Sequence, residues 1–306
     1  MIKIINAVNG KVEILSEVAK GCWIQVIQPT PEDIAYLEKL GVGRDYIKYA
    51  LDEEELARSE TENDQTLIIV DLPTAPENAR TSTPSTMPVA FILINDDFLI
   101  SVSVKENDLF DEILKVSSLN TANRTKTILQ FLGKASIKYM QVLKEIDRIV
   151  SEIEKRAVRS VGKDEILELM EVQKSLVYIT SSLKADEAML ERIKLGNVLK
   201  IAHGDLSFAE DILIEIRQAR EMADIHERLL TNTMDNYGSI ISNNLNDIMK
   251  VLTSMTLVFS IPMIIFGLYG MNVGGLWFDG SPYFAIGITV LLMIGMAVWF
   301  IRKKML

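Results

Sequence analysis

The chain has 306 residues, of which 48% are hydrophobic, and its formal net charge is −10. Only four charged residues lie in residues 251–306, namely Asp279, Arg302, Lys303 and Lys304. Taking them from the totals of 32 basic and 42 acidic residues leaves 29 and 41, so residues 1–250 carry a net charge of −12. This acidity excludes nucleic acid as a partner, because its phosphates would be repelled. It suits a domain that concentrates or senses cations, and it also suits a domain that is merely kept soluble.

Cysteine usage and the N-terminal segment indicate a cytoplasmic soluble part. Cys22 is the only cysteine, which excludes an intrachain disulfide and a cysteine-based zinc site. The opening segment, residues 1–5, lacks the basic region and the long apolar region of a signal peptide. We therefore expect residues 1–250 to form a domain that stays in the cytoplasm.

The first hundred residues alternate between strand and helix signals. Short apolar runs predict strands at Ile2–Val8, Lys11–Leu15, Trp23–Ile27, Thr66–Asp71, Pro88–Ile94 and Phe98–Val104. The Asn95-Asp96-Asp97 turn predicts that the last two strands form a hairpin. A short helix is predicted to begin at Pro31, a second to cover Arg44–Leu56, and a loop to cover Pro73–Pro88.

The pattern becomes helical after Asp108. Apolar residues at three- and four-residue spacing predict helices over about residues 121–157 and 163–193. After a break at His203-Gly204, a third helix is predicted from Leu206 into the first membrane span without interruption. At 1.5 Å per residue, this helix of about 65 residues would be roughly 95 Å long.

Two C-terminal segments are predicted to cross a membrane. Residues 251–269 and 281–301 carry no charge, and each covers the roughly 30 Å hydrocarbon core. The second is apolar on all sides, which excludes a half-buried soluble helix. We therefore predict a transmembrane domain over residues 251–306, with spans at about 251–271 and 281–301.

The charges that flank the spans predict the orientation. Lys250 precedes the first span and the basic cluster follows the second, whereas the connecting loop carries only Asp279. The positive-inside rule places both chain ends in the cytoplasm. Aromatic residues typical of interfacial belts occur at the outer side (Trp277, Phe278, Tyr283, Phe284) and at the inner side (Trp299, Phe300).

One face of the first span is small and polar. Steps of four and three residues connect Ser242, Asn246, Met249, Thr253, Thr256, Ser260, Met263, Gly267 and Gly270. This pore-face stripe has the 3.5-residue period of a coiled-coil seam, yet its residues are small, polar or Met. Close helix packing explains it as well as a pore lined by several copies does. Because two spans cannot enclose an aqueous path, conduction would need a homo-oligomer.

The outer end of the first span carries Tyr269-Gly270-Met271-Asn272, and the inner end reads Asn246-Asp247-Ile248-Met249-Lys250-Val251-Leu252-Thr253. Together with the second span and the terminal basic cluster, these sequences resemble the CorA family of magnesium channels. The resemblance implies an α+β fold: an N-terminal αβα cytoplasmic domain, a stalk helix continuous with the first of two spans, and a homopentameric funnel in the cell membrane.

The resemblance also implies the ion path. Tyr269, Gly270, Met271 and Asn272 would form the selectivity filter, with Asn272 as the outer ring. Asn246, Met249 and Leu252 would line the inner neck, followed along the pore by Thr253, Thr256, Ser260, Met263 and Gly267. A ring of neutral amides can bind magnesium through its tightly held waters without stripping them. Asn272 could instead be a helix C-cap, and the apolar neck could be ordinary subunit packing.

Regulation departs from the family pattern. Asp211 falls at a family cation-sensing position, but Lys48 and Tyr49 occupy the positions of its acidic partners. Asp52 and Glu53 lie one turn further on and would have to replace them as ligands of a regulatory magnesium ion. Arg302, Lys303 and Lys304 correspond to the basic ring of the family. Pro262 is expected to kink the first span.

Three functions remain open from the sequence. The first is a passive magnesium channel that also passes cobalt or nickel, and the second is a zinc transporter of the same superfamily, coupled to protons. The third is a membrane-anchored scaffold without conduction. An enzyme is not expected, because His203 and His226 are isolated and the sequence has no Walker-type phosphate loop.

Overall fold

The computed structural model describes residues 1–53, 55–62, 64–74, 83–94, 97–157, 163–271 and 282–303. The strands are β1 Ile2–Val8, β2 Lys11–Leu15, β3 Trp23–Ile27, β4 Arg58–Glu62, β5 Gln65–Thr74, β6 Ser85–Ile94 and β7 Phe98–Ser103. The helices are α1 Pro31–Lys39, α2 Arg44–Ala50, α3 Asp108–Leu114, α4 Arg124–Ala157, α5 Lys163–Lys194, α6 Leu206–Tyr269 and α7 Pro282–Arg302. A 3-10 turn, His203–Asp205, precedes α6.

The described strands form one sheet in the order β2-β1-β3-β7-β6-β5-β4. β3 and β7 are parallel, and the other neighbours are antiparallel. The predicted hairpin is confirmed, since β6 pairs with β7 from Ile94↔Phe98 onward. Its turn residues Asn95 and Asp96 lie outside the described residues.

Three element predictions were wrong in detail. The second helix ends at Ala50, six residues before the predicted end. The predicted loop 73–88 is shorter, because β5 continues to Thr74 and β6 begins at Ser85. β4 was not predicted, because Arg-Ser-Glu-Thr-Glu lacks apolar alternation; its polar side chains are tolerated on an edge strand, and it pairs only with β5.

The sheet is covered on both faces, which makes the layer order αβα. On one face, α1 and α2 bury Leu37 and Ile47 against a cluster of aliphatic strand residues. On the other face, Trp23 contacts Phe110 of α3 and Phe131 of α4 at ring-centroid distances of 6.4 and 5.4 Å. The indole N–H of Trp23 donates to the hydroxyl of Ser101 at 2.8 Å, so its buried polar group is satisfied.

Ion pairs join α5 to the first part of α6. The Nε of Arg217 lies 2.7 Å from the carboxylate of Glu187, and Arg220 contacts the same carboxylate at 2.8 Å. Lys184 lies 3.5 Å from Asp224. These charges on the polar face of α5 are therefore neutralised by α6.

The described chain divides into two compact units, residues 1–232 and 233–306. The predicted domain boundary at residue 250 stays a prediction. α6 is one helix from Leu206 to Tyr269, as predicted, and Pro262 lies within it. The second unit contains the rest of α6 and α7, which carry the two predicted spans.

Candidate ion-conduction site

The pore-face stripe lies along one side of the second half of α6. All its residues are exposed except Ser260, which is half-buried, and Met263 has 76% of its surface exposed. Successive residues of an α-helix are rotated by about 100°, so the four- and three-residue steps keep these side chains on a single face. A row of Met, Thr and Ser is thus uncovered in the single chain.

The opposite face of the same helix segment is partly covered, and Leu257 and Ile261 beside it line a groove together with residues of α7. Ser254 is fully buried, and Val258 and Ile265 are half-buried. These residues lie about 180° around the helix from the middle of the pore-face stripe. On α7 the buried residues Ala285, Thr289 and Phe300 also share one face. The second span therefore leaves the pore-face stripe open to other partners.

Two hydroxyls of the stripe bond to their own helix. The Oγ1 of Thr256 donates to the carbonyl of Leu252 at 2.8 Å, and the Oγ of Ser260 donates to the carbonyl of Leu257 at 2.8 Å. Each hydroxyl proton is used within the helix, while the oxygen lone pairs stay available as acceptors. Such oxygens can accept hydrogen bonds from water on the exposed face.

The inner end of the stripe is neutral although charges lie beside it. Asn246, Met249 and Thr253 line a shallow groove together with Asp247 and Lys250. The Nζ of Lys250 lies 2.9 Å from the carboxylate of Asp247, and both side chains are exposed. Leu252, the other predicted neck residue, is exposed and apolar. The structure thus brings the predicted neck residues onto one stretch of helix.

The predicted filter begins where α6 ends. Tyr269 is the last helical residue, and the N–H of Gly270 still donates to the carbonyl of Phe266 at 2.9 Å. A Cβ on Gly270 would lie 3.0 Å from that carbonyl oxygen, so glycine permits the tight turn. Met271 is exposed. Asn272 and the outer-loop residues Trp277, Phe278 and Asp279 lie outside the described residues.

The predicted sensor residues do not form a site within one chain. Asp211, Asp52 and Glu53 are all exposed, and Glu53 forms a 2.7 Å ion pair with Lys105. In the described part of the chain, no group of three His, Cys, Asp or Glu side chains is placed to hold a metal ion. A site between subunits stays a prediction.

The predicted basic ring begins at Arg302, the last residue of α7. Arg302 and Lys303 are exposed, and the N–H of Lys303 donates to the carbonyl of Trp299 at 3.0 Å. Lys304 lies outside the described residues.

A buried pair of carboxyls was missed by the sequence analysis. Asp71 of β5 and Asp186 of α5 are 5% and 1% exposed. Each had a local signal: Asp71 interrupts the apolar run Leu67–Leu72, and Asp186 follows Leu183 by three residues on the buried face of α5. A charged residue at an apolar position is the pattern that would have found them.

Two described helices are long and apolar enough to cross a membrane, His203–Tyr269 and Tyr283–Arg302. Their most apolar windows are only 6% and 17% buried, unlike the core helix of a soluble protein. This agrees with the two predicted spans.

Comparison with known proteins gives the family. A family model described as CorA-like Mg²⁺ transporter protein matches residues 18–303. The cobalt/magnesium transport protein CorA of Methanocaldococcus jannaschii is 24% identical over 304 residues, covering 95% of this chain and 93% of that protein. The zinc transport protein ZntB of Pectobacterium atrosepticum is 20% identical, covering 93% of this chain and 88% of that protein.

The fold agrees with this assignment. The complete structure of the CorA magnesium transporter from Methanocaldococcus jannaschii matches with a TM-score of 0.79 at 22% identity, covering 99% of this chain and 96% of that chain. The chain belongs to the CorA-like Mg²⁺ transporter family, and it is a membrane transporter of divalent metal cations rather than an enzyme.

Proposed function

We propose that this protein is a magnesium channel, assembled as a homopentamer with the pore-face stripe of each α6 around a shared axis. The observation that carries the proposal is that the covered residues of this helix segment lie opposite the stripe, while α7 shares a groove with Leu257 and Ile261, which are not part of the stripe. The second span thereby forms an outer layer. The uncovered row of hydroxyls, Met and glycine would then line the pore. The channel would also pass cobalt or nickel.

Selectivity is assigned to a ring of Asn272 side chains at the outer mouth, with Tyr269, Gly270 and Met271 shaping the turn. Magnesium dehydrates reluctantly, so neutral amides that hydrogen-bond its water shell can select the ion without holding it too firmly. The oxygens of Thr253, Thr256 and Ser260 would continue this water-mediated contact inward. Flux is driven by the membrane potential.

Gating is assigned to the neck and to the soluble domain. Met249 and Leu252 of several copies would form an apolar constriction that closes by losing its water. Asp211 of one subunit would share a regulatory magnesium ion with Asp52 and Glu53 of a neighbour, for which Glu53 must leave Lys105. Both chain ends would lie in the cytoplasm, with Arg302, Lys303 and Lys304 around the inner mouth.

Zinc transport is the second candidate, because the zinc transport protein ZntB is similar over 93% of this chain. Uptake of magnesium and zinc into proteoliposomes separates the two functions when each ion is measured with and without a proton gradient. Potential-driven magnesium uptake that ignores the proton gradient supports the channel. Zinc uptake that requires the gradient, with little magnesium uptake, supports the alternative.

The assignment of Asn272 is tested by Asn272→Ala in the same assay. The amide ring would be lost while the backbone turn at Gly270 is kept. Magnesium flux is expected to fall by about tenfold or more, since each hydrogen bond to a water of the ion contributes about 0.5–1.5 kcal/mol and every subunit loses one. Asn244→Ala, on the cytoplasmic part of α6 and off the stripe, is the matched control. Unchanged flux through Asn272→Ala would contradict the filter.

A further inference from the structure

Among the described strands, none pairs with the outer edge of β5 beyond Ile69. β4 pairs with β5 only from Arg58↔Ile69 to Glu62↔Gln65, whereas β5 continues to Thr74. The backbone N–H and C=O of Asp71 point away from β6, toward the side of β5 on which β4 lies. β4 ends before it reaches Asp71, so it does not pair with these two groups. A buried backbone group without a partner is costly, so other elements have to satisfy this edge.

Two buried side chains from the helical layer form hydrogen bonds with the backbone N–H and C=O of Asp71. The N–H of Asp71 donates to the Oδ1 of Asp186 on α5 at 3.0 Å. The hydroxyl of Tyr139 on α4 donates to the carbonyl of Asp71 at 3.1 Å. Asp186 and Tyr139 thus fasten both helices to the open edge of the sheet.

The fastening places two carboxyl groups together away from water. The hydroxyl of Ser182 on α5 donates to the hydroxyl of Thr86 on β6 at 2.9 Å, and its proximity lowers the pKa of the Asp71 carboxyl, against the larger effect of burial. Within the described part of the chain, neither carboxyl has an ion-pair partner. Both aspartates are buried, and the Asp186 carboxyl is held at the backbone of Asp71. Two negative charges in such a place are costly, so the pair needs a proton.

The groups around the pair come from four elements. β5 contributes Asp71, α4 contributes Tyr139, and β6 contributes the hydroxyl of Thr86. On α5 itself, Lys184 and Glu187 are occupied by ion pairs to α6. Burial, and then the charge of Asp71, raises the pKa of Asp186 well above its usual range, and burial also raises the pKa of Asp71.

We propose that Asp71 and Asp186 form a proton-dependent latch between β5 and α5. While the pair holds a proton, Asp186 accepts from the Asp71 N–H and the helix stays fastened to the sheet edge. When the proton leaves to solvent, the two aspartates are both negatively charged and repel each other. The contact of α5 with the sheet edge then weakens, in the part of α5 that also forms the ion pairs to α6. The soluble domain would thereby respond to cytoplasmic pH.

The direction of the pH effect follows from the raised pKa. Below about pH 4, the ordinary carboxyl pKa, the pair is protonated in both the folded and the unfolded state. As the pH rises further, the unfolded chain ionises while the folded chain still retains its proton. The latch therefore makes the folded state less stable with increasing pH, up to the raised pKa of the pair.

The test compares apparent Tm from pH 4 to pH 9 for the full-length protein in detergent. Asp186→Asn keeps an oxygen that can accept from the Asp71 N–H but cannot ionise. The wild type is expected to lose stability relative to Asp186→Asn as the pH rises, by about 4 °C for each tenfold change in the unfolding equilibrium. Asp164→Asn, exposed in the first turn of α5, should follow the wild type. Parallel curves for the wild type and Asp186→Asn would overturn the latch.

Infrared spectroscopy keeps the proposal testable if Asp186→Asn does not fold. Above the ordinary carboxyl pKa of about 4, the wild type should still show the carbonyl stretch of a protonated, buried carboxylic acid, and this band should disappear as the pH is raised further. Loss or shift of the band in Asp71→Asn would assign it to the Asp71 and Asp186 pair. If the band is lost at the ordinary carboxyl pKa of about 4, the pair holds no proton above it, and the latch is rejected.

Discussion

The hydroxyl of Tyr139 donates to the backbone carbonyl of Asp71 at 3.1 Å, and both residues are buried. The contact joins α4 to a strand edge that β4 does not reach. It has a direct consequence for stability, because a tyrosine hydroxyl can be removed without changing the packing of its ring.

Tyr139→Phe is expected to lower the free energy of unfolding by about 1–3 kcal/mol, because the buried carbonyl of Asp71 loses its donor. Chemical denaturation of the full-length protein measures this. Tyr178→Phe is the matched control, since Tyr178 is half exposed on α5. A loss as small as that of the control would show that water replaces the hydroxyl.

Gly10 and Gly41 distinguish the backbone strain of a side chain at positive φ from a steric clash of its Cβ. Both have positive φ, +78° and +93°, but a Cβ on Gly10 would lie 2.5 Å from the carbonyl oxygen of Ser117, whereas nothing lies within 4 Å at Gly41. Gly41→Ala should lose about 1 kcal/mol from backbone strain alone, and Gly10→Ala clearly more. Thermal unfolding of both variants checks this. Equal losses would mean that the turn at Gly10 moves to admit the methyl group.

Asn246 and Asn244 test the pore-face stripe at its cytoplasmic end. Both are exposed on α6, and Asn244 lies about 200° around the helix from Asn246. Asn246→Ala should reduce magnesium flux by about two- to tenfold, the effect of one neutral hydrogen bond, whereas Asn244→Ala should leave flux unchanged. Tracer uptake into proteoliposomes measures both. The reverse order would place the pore on another face.

Leu252 tests the apolar neck. Leu252→Asn adds a hydrogen-bonding side chain of similar size, so water should stay in the constriction and magnesium flux should rise when the cytoplasmic magnesium concentration is high. Val251→Asn, about 100° around the helix, is the control and should not open the channel. If Leu252→Asn leaves flux low at high magnesium while folding normally, the closing element lies elsewhere.

Several features were predictable because they depend on neighbours within one helix or strand. The uncharged runs in residues 251–269 and 281–301 are long enough to predict the two spans from hydrophobicity alone. The unbroken α6 followed from the absence of a proline between Leu206 and Lys250. Tyr269-Gly270-Met271-Asn272, at the end of the first span, was sufficient to indicate the CorA family that the comparisons confirm. The filter and sensor roles stay predictions, since each requires other copies of the chain.

Sequence by itself determined the long helices, the spans and the family of this protein, because periodicity, length and hydrophobicity are local properties. Only the tertiary structure decided which side of α6 is covered by α7 and which buried carboxyls meet. Asp71 and Asp186 are 115 residues apart in the chain. No local pattern predicts that β4 ends before Asp71, or that Asp186 accepts the hydrogen bond of the Asp71 N–H instead. Such contacts depend on how separate elements pack, which the spacing of residues along one element does not specify.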